Sequence, residues 1–234
     1  MQKNEAHVRY SAQDYDHYTA EFVKPFDEML AARVLEELQT RPEQTLLLDV
    51  GTGTARFLVH LARLPELSHT RLVGTDVFQD MVDQANQTIA AAELTDRIEM
   101  LVADVHAMPI PDEYADIVLS RSTLHHWANP IQALREIDRI LKPRGVAILH
   151  DVRRDAAPEA LADFNRLRAL AGIAPSFLEE KFTADEVRTF LKEAGLSDRA
   201  VVRAPTKGLR ALGMAVEIRS FRPDVCRTCF DPGA

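Results

Sequence analysis

Between Leu46 and Val152 the chain alternates short, almost wholly apolar runs with helical stretches, and this alternation leaves little choice of fold. The apolar runs are Leu46–Val50, Arg71–Thr75, Ile98–Ala103, Asp116–Ser120 and Val146–Val152. Helical segments over Arg56–Arg63, Phe78–Ala92 and Pro130–Leu141 fall among them. Strands that are apolar on both faces must be covered on both faces, which points to a parallel sheet between helices. Right-handed crossovers then make the sheet doubly wound.

The flanks add to this core. Ser11–Gln39 reads as helix, with Phe22, Phe26, Met29, Leu30, Val34 and Leu38 at helical spacing, and Pro25 predicts a kink or a division. Lys142-Pro143-Arg144-Gly145 is expected to stop the helix before the fifth strand. Beyond that strand, Pro158–Leu170 and Ala184–Ala194 read as helices around a loop. Arg199–Arg203 and Leu212–Phe221 read as an antiparallel hairpin about Pro205-Thr206-Lys207-Gly208. The expectation is an α/β, mostly parallel seven-stranded sheet ending in a C-terminal antiparallel hairpin. One domain spans residues 1–222, with 1–40 a helical cap, 153–182 a substrate-side insertion and 223–234 a tail.

The strongest local signal lies where the first strand ends: Leu47-Leu48-Asp49-Val50-Gly51-Thr52-Gly53-Thr54-Ala55-Arg56. Glycine suits a backbone that must bend sharply and admit a ligand. The helix that follows offers unpaired N–H groups at its start. Asp76 ends the second strand, placed to accept both ribose hydroxyls or, equally, to cap the next helix. Two departures separate the pattern from a dinucleotide site. Arg56 stands where the third glycine of that fingerprint falls, and Asp49 puts a negative charge beside the turn. A pyrophosphate is repelled there, whereas a sulfonium with an ammonium is attracted.

In this order the motifs resemble those of the class I S-adenosylmethionine-dependent methyltransferases, in particular the small-molecule group of the quinone-biosynthesis C-methyltransferases. The likeness runs from about Leu46 to Asp151. It takes in Gly74-Thr75-Asp76-Val77, Val102-Ala103-Asp104-Val105, Pro109–Val118, Leu124-His125-His126-Trp127 and Leu134–Gly145, where Arg144 replaces a usual glycine. The resemblance implies a Rossmann-like methyltransferase fold and S-adenosylmethionine as cofactor. It implies that Asp49, Gly51, Thr52 and Gly53 hold the cofactor, with Asp76 on the ribose and Val77 and Met81 along the adenine. Asp104 would bind the adenine amino group and Val105 pack on the ring, with Ser120 counted among the cofactor residues.

Methyl transfer asks a protein mainly to align a nucleophile behind the methyl group and to exclude water. A base is needed only where the nucleophile holds a proton. His125 and His126, after the fourth strand, are the catalytic candidates, since histidine changes charge near neutral pH; structural packing is the other reading. Asp151, Tyr15 and Tyr18 are candidates for contact with the acceptor, and His150 reads as a hydrogen-bonded core residue. Arg153, Arg154, Arg166 and Arg168 could meet an anionic acceptor or simply stand in solvent.

Composition narrows the partners. With 36 acidic against 28 basic residues, the formal net charge of −8 argues against nucleic acid. No apolar run approaches the roughly 18–20 residues that span a bilayer, so no membrane insertion is expected. The polar start Met1-Gln2-Lys3-Asn4-Glu5 lacks a signal core, which favours a cytoplasmic protein. Arg199, Arg203, Lys207, Arg210, Arg219 and Arg222 form a basic stretch, read as a solvated face or a surface for an acidic partner. Cys226 and Cys229 make half a zinc site without a second pair, so no metal is expected. The partner is then a small-molecule acceptor, with self-association into a homo-oligomer open. An NAD-dependent oxidoreductase and a non-catalytic scaffold subunit are the rival readings.

Overall fold

The structure, a computed structural model, describes residues 24–42, 44–170, 175–207 and 209–220. Its elements are α1 (Lys24–Leu38), β1 (Leu46–Val50), α2 (Arg56–Ala62), β2 (Arg71–Asp76), α3 (Gln79–Ala91), β3 (Ile98–Val102) and β4 (Ala115–Arg121). They continue with α4 (Pro130–Ile140), β5 (Leu141–Val152), α5 (Pro158–Leu170), α6 (Ala184–Ala194), β6 (Ala200–Arg203) and β7 (Gly213–Arg219). The seven strands lie in the order β3-β2-β1-β4-β5-β7-β6. β1 to β5 are mutually parallel, and β7 runs antiparallel between β5 and β6. The chain leaves β1 toward β2 on one side and returns to β4 on the other. That reversal opens a crevice at the carboxyl ends of β1 and β4.

Successive side chains of a strand point to opposite faces, and the apolar strands exploit both. Leu47, Ile117, Leu119 and Ile148 pack on one face under Leu30 and Val34 of α1, Leu58 and Leu61 of α2, and Ile89 of α3. Leu48, Val118, Leu149 and Val216 pack on the other, under Leu134 and Ile137 of α4 and Val187 and Leu191 of α6. Each fully buried aliphatic side chain contributes about 1.5–3 kcal/mol. A third cluster joins Phe26 of α1 to Ala160 and Phe164 of α5, Leu178, Ala211 and Leu212. Helix ends follow local chemistry. Thr183 and Glu186 form a reciprocal capping box on α6, Gly195 at φ +80° closes it, and Asn129 caps α4 ahead of Pro130.

Two expectations need correction. Lys142–Gly145 stops α4 without delaying the strand: β5 begins at Leu141 and absorbs the tetrapeptide as a bulge. The register jumps from Ala115↔Leu141 to Ile117↔Val146. Arg144 there takes φ +65°, the left-handed conformation that a glycine adopts at less cost. The bulge is fastened by Arg144 N donating to Ser220 O and Ser220 N donating to Gly145 O, both at 2.9 Å. The hairpin is present, but a short 3₁₀ turn, Leu209–Leu212, extends its connection, so β7 starts at Gly213. Other boundaries among the described residues fall within a few residues of expectation, while the helix start expected at Ser11 and the strand end expected at Phe221 lie outside them.

Within the basic stretch Lys207 and Arg210 are exposed, Arg222 lies outside the described residues, and the other three cations are paired. Arg199 pairs with Asp138 at 2.9 Å, Arg203 with Glu217 at 2.9 Å and Arg219 with Glu37 at 3.0 Å. Glu37, buried on α1, also takes Arg33 and Arg41, and Arg33 reaches Glu217 on β7. Burial opposes ionisation of Glu37, but the three guanidinium groups hold its carboxyl down at about 2. Among the described residues no helix is long and apolar enough to cross a membrane, and no three His, Cys, Asp or Glu residues cluster as metal ligands. Tyr15, Tyr18, Cys226 and Cys229 lie outside the described residues.

Candidate active site

The turn after β1 is built as the sequence suggested, with the two glycines in different roles. Gly51 N and Thr52 N both donate to Thr75 O, at 2.8 and 2.9 Å, which ties the turn to β2. Gly51 has φ +71°, and a Cβ there would lie 2.6 Å from Thr123 Cγ2, so this glycine serves the close approach of the loop after β4. Gly53, at φ +57°, has nothing within 4 Å of such a Cβ. Its open side is where a ligand can come close.

Asp49 is 2% exposed. Its Oδ2 accepts from Thr52 Oγ1 at 2.6 Å, while its buried Oδ1 has no hydrogen-bond partner among the described residues. Burial pushes the carboxyl up to about 6, with Asp27 and Asp76 adding to the rise and Thr52 and Arg121 opposing it. A buried, unsatisfied carboxylate oxygen is costly unless a donor meets it. Asp76 accepts from Gly53 N at 3.0 Å and Phe78 N at 3.1 Å, so it braces the glycine turn. It does not cap α3, whose N-cap residue is Phe78. Its carboxyl is raised, chiefly by burial.

Around Asp76 the strand tips carry apolar surface. Val77, Phe78 and Val102 are half exposed, Met81 is partly covered, and Val105 is buried. Asp104 receives His106 N at 2.9 Å and meets His106 Nδ1 at 2.5 Å, and its carboxyl is held low first by that backbone bond. Ser120 is 2% exposed, with its hydroxyl 2.5 Å from Thr123 Oγ1. It thus supports the loop that closes on Gly51.

Sequence reasoning missed the groups beside Asp49. Arg121, the last residue of β4, pairs at 3.1 Å with Asp27 of α1. His150 lies opposite Arg121 in the β4–β5 register. Asp27 Oδ1 and Arg121 Nε meet each other as a buried ion pair without hydrogen-bond alignment, while His150 Nδ1, like Asp49 Oδ1, is a buried atom with no hydrogen-bond partner among the described residues. His150 is buried as expected, but its Nδ1 is not hydrogen-bonded. Its ring lies 5.0 Å from that of Phe26, and burial pushes it down to about 4. Charged residues at a strand tip and in a distant helix give no local signal that they will meet.

Toward the other face, His125 and Asp151 come together. Asp151 accepts His125 N at 2.9 Å and faces His125 Nδ1 at 2.8 Å, with both residues buried. It also accepts Val152 N at 2.7 Å. Burial favours the neutral acid, yet the bonds from His125 hold Asp151 below the usual carboxylate range. His126 is exposed, its ring 3.9 Å from that of His125. The arginines of the 153–182 segment are committed elsewhere. Arg153 is buried against the carbonyls of Ala211 and Pro205, Arg154 binds Glu186, Arg166 binds Asp163, and Arg168 lies over the Phe164 ring. Lys181 of the same segment lies in the field of Asp151.

A mostly parallel sheet with a lone antiparallel β7, an acid in the first glycine turn and a second acid at the next strand tip define the class I methyltransferase architecture. Residues 48–149 match the family model described as a methyltransferase domain. The chain is 29% identical over 151 residues to 27-O-demethylrifamycin SV methyltransferase of Amycolatopsis mediterranei, covering 64% of this chain and 53% of the relative. It is 30% identical over 149 residues to the ubiquinone/menaquinone biosynthesis C-methyltransferase of Geobacter sulfurreducens, covering 62% and 58%. The chain spans about half the length of these curated relatives. A solved structure from Methanococcus maripaludis, provisionally an S-adenosylmethionine-dependent methyltransferase, superposes with TM-score 0.70 over 96% of this chain and 99% of that one, at 22% identity. Over residues 48–149 the chain thus matches a methyltransferase domain, and it is similar to class I S-adenosylmethionine-dependent methyltransferases.

Proposed function

We propose that the protein transfers a methyl group from S-adenosylmethionine to an oxygen, nitrogen, carbon or sulfur atom of a small-molecule acceptor. The carrying observation is Asp49 Oδ1, which has no hydrogen-bond partner among the described residues, beneath a glycine turn that is open at Gly53. An ammonium satisfies such an oxygen; a pyrophosphate does not. The residues present fit the cofactor. Asp49 would meet its amino group, Arg121 its carboxylate, Asp76 its ribose hydroxyls, and Val77, Phe78, Met81 and Val102 its adenine. Asp104 keeps a half-exposed carboxylate for the adenine amino group, with Val105 beneath the ring.

When bound, S-adenosylmethionine supplies a methyl group already activated on sulfur, and the acceptor's lone pair displaces the neutral thioether. The chain has to orient the acceptor, keep water out and take a proton where there is one. His125 suits the last of these roles, because Asp151 fixes the ring through Nδ1 and leaves Nε2 to receive the proton. Asp151 acts through His125, and His126 with the described residues of the 153–182 segment would wall the acceptor. The O-methylating and C-methylating relatives support this reading.

Calorimetry with S-adenosylhomocysteine tests it, with NADH as the control. Micromolar binding of the first, lost in Asp49→Ala and Asp76→Ala, is expected. Preference for NADH, or unchanged affinity in both variants while they remain folded, refutes it.

A further inference from the structure

Two acids mark the neighbouring tips of β2 and β3. Asp76 ends β2 opposite Val102 in the parallel register, and Asp104 follows two residues later. Ala103 N donates to Asp76 O at 2.9 Å, which ties the start of that loop to β2. Val77, Phe78 and Val102, at the same two tips, are half exposed. A flat heteroaromatic ring suits such a surface, and a carboxylate at its rim suits an amino group on that ring.

Left to itself, Asp104 would meet that group poorly. Its side chain is 55% exposed and stands on a loop, where a carboxylate is free to turn. His106 prevents the turning. Its backbone N donates to Asp104 Oδ1 at 2.9 Å, and its ring Nδ1 lies 2.5 Å from the same oxygen. The far side of the ring is held in turn, because Asn129 N donates to His106 Nε2 at 3.1 Å. Gln132 Nε2 donates to His106 O at 2.9 Å, and Gln132 N to Asn129 Oδ1 at 3.1 Å. The imidazole is thereby clamped between the acid and the start of α4.

The clamp also fixes the tautomer. Nε2 has to present its lone pair to Asn129 N, so the neutral ring carries its proton on Nδ1 and donates it to Asp104. Two bonds to one oxygen fix the orientation of the carboxylate, while Oδ2 can still accept. An acceptor oriented before its ligand arrives spares the cost of ordering it afterwards.

We propose that His106 is a positioning residue, which holds Asp104 in the orientation that receives the exocyclic amino group of the cofactor's adenine. The proposal rests on the methyl-transfer reading, which supplies the adenine, and adds to it the side chain that prepares the adenine's partner.

Calorimetry on the full chain tests it with two probes: S-adenosylhomocysteine and its 6-deamino analogue, in which hydrogen replaces the amino group. The parent should prefer S-adenosylhomocysteine by about tenfold, as a charge-assisted contact would make it. His106→Ala should weaken S-adenosylhomocysteine by about three- to tenfold and leave the analogue within about twofold, so that the preference collapses. His106→Phe keeps the bulk of the ring without its donor and should give the same result, also where the alanine variant fails to fold. In Asp104→Ala the preference should already be gone, and adding the His106 substitution should take nothing further from it. A histidine that only supports the loop would weaken both probes alike. That outcome, an unaffected preference in a folded variant, or a parent that binds both probes equally overturns the proposal while leaving the methyl-transfer reading in place. A parent that binds neither probe removes both.

Discussion

Asp151 holds His125 twice, by the backbone amide at 2.9 Å and by the ring at 2.8 Å, so backbone and side chain are oriented by one buried carboxylate. Replacing Asp151 with Asn keeps the shape but removes the charge and allows the ring to turn. Methyl transfer to a protic acceptor should fall at least about tenfold, while S-adenosylhomocysteine affinity stays within about twofold. Steady-state kinetics beside calorimetry checks this; a parallel loss of both would assign Asp151 to cofactor binding.

Asp49 makes cofactor affinity depend on pH. Its carboxyl is raised to about 6 in the protein without ligand, and an ammonium binds only the ionised form. Affinity for S-adenosylhomocysteine should therefore weaken on acidification, by about tenfold between pH 7 and pH 5. In Asp49→Asn the dependence should flatten at a low affinity. Calorimetric titrations across this range decide it, and an equally steep profile in the variant would place the proton elsewhere.

The two glycines of the turn should respond differently to alanine. Gly51→Ala meets Thr123 at 2.6 Å and keeps a left-handed φ, so it should cost about 2–4 kcal/mol of stability. Gly53→Ala meets nothing and should cost about 1 kcal/mol, from the backbone alone. Its larger effect should be on cofactor affinity. Urea denaturation of the two variants separates them; equal destabilisation would show that the open side of Gly53 is not open.

His150 ties stability to acidity in the opposite sense to Asp49. Its pKa falls from 6.5 to about 4 on folding, through burial. Its contribution is present above about pH 6.5 and is lost as pH falls toward 4, up to about 3 kcal/mol. Asp49, raised on folding, contributes most below about pH 4 and loses that contribution as pH rises through about 6. Denaturation curves of His150→Gln should decline less between pH 6.5 and 4 than those of the parent. An unchanged slope would mean that the ring is not the group that takes up the proton.

The sheet was legible because its information is local. Runs such as Leu46–Val50 must be buried on both faces, and the order of runs and helices then dictates the winding. Asp49 and Asp76 were legible for a related reason: each occupies a set place at a strand end. The rest depended on contacts across long stretches of chain. Nothing near Asp27 announces Arg121, 94 positions later. His125 and Asp151 stood out singly, but their pairing follows from β5 lying beside β4. Arg144 shows the reverse case, a departure from the family's glycine whose cost became clear only from its φ of +65°.

Glu37 and Glu217, with the arginines between them, join the first described helix to the last described strand. The same helix carries Phe26 and Asp27 to His150 and Arg121 at the ends of β5 and β4. During synthesis α1 leaves the ribosome early, yet its anchor on β7 is among the last of the described segments to be made. A nascent chain that has completed the glycine turn therefore still lacks β7, the strand whose Glu217 and Arg219 clasp α1. Competence to hold a cofactor arrives late, when the far side of the sheet has closed.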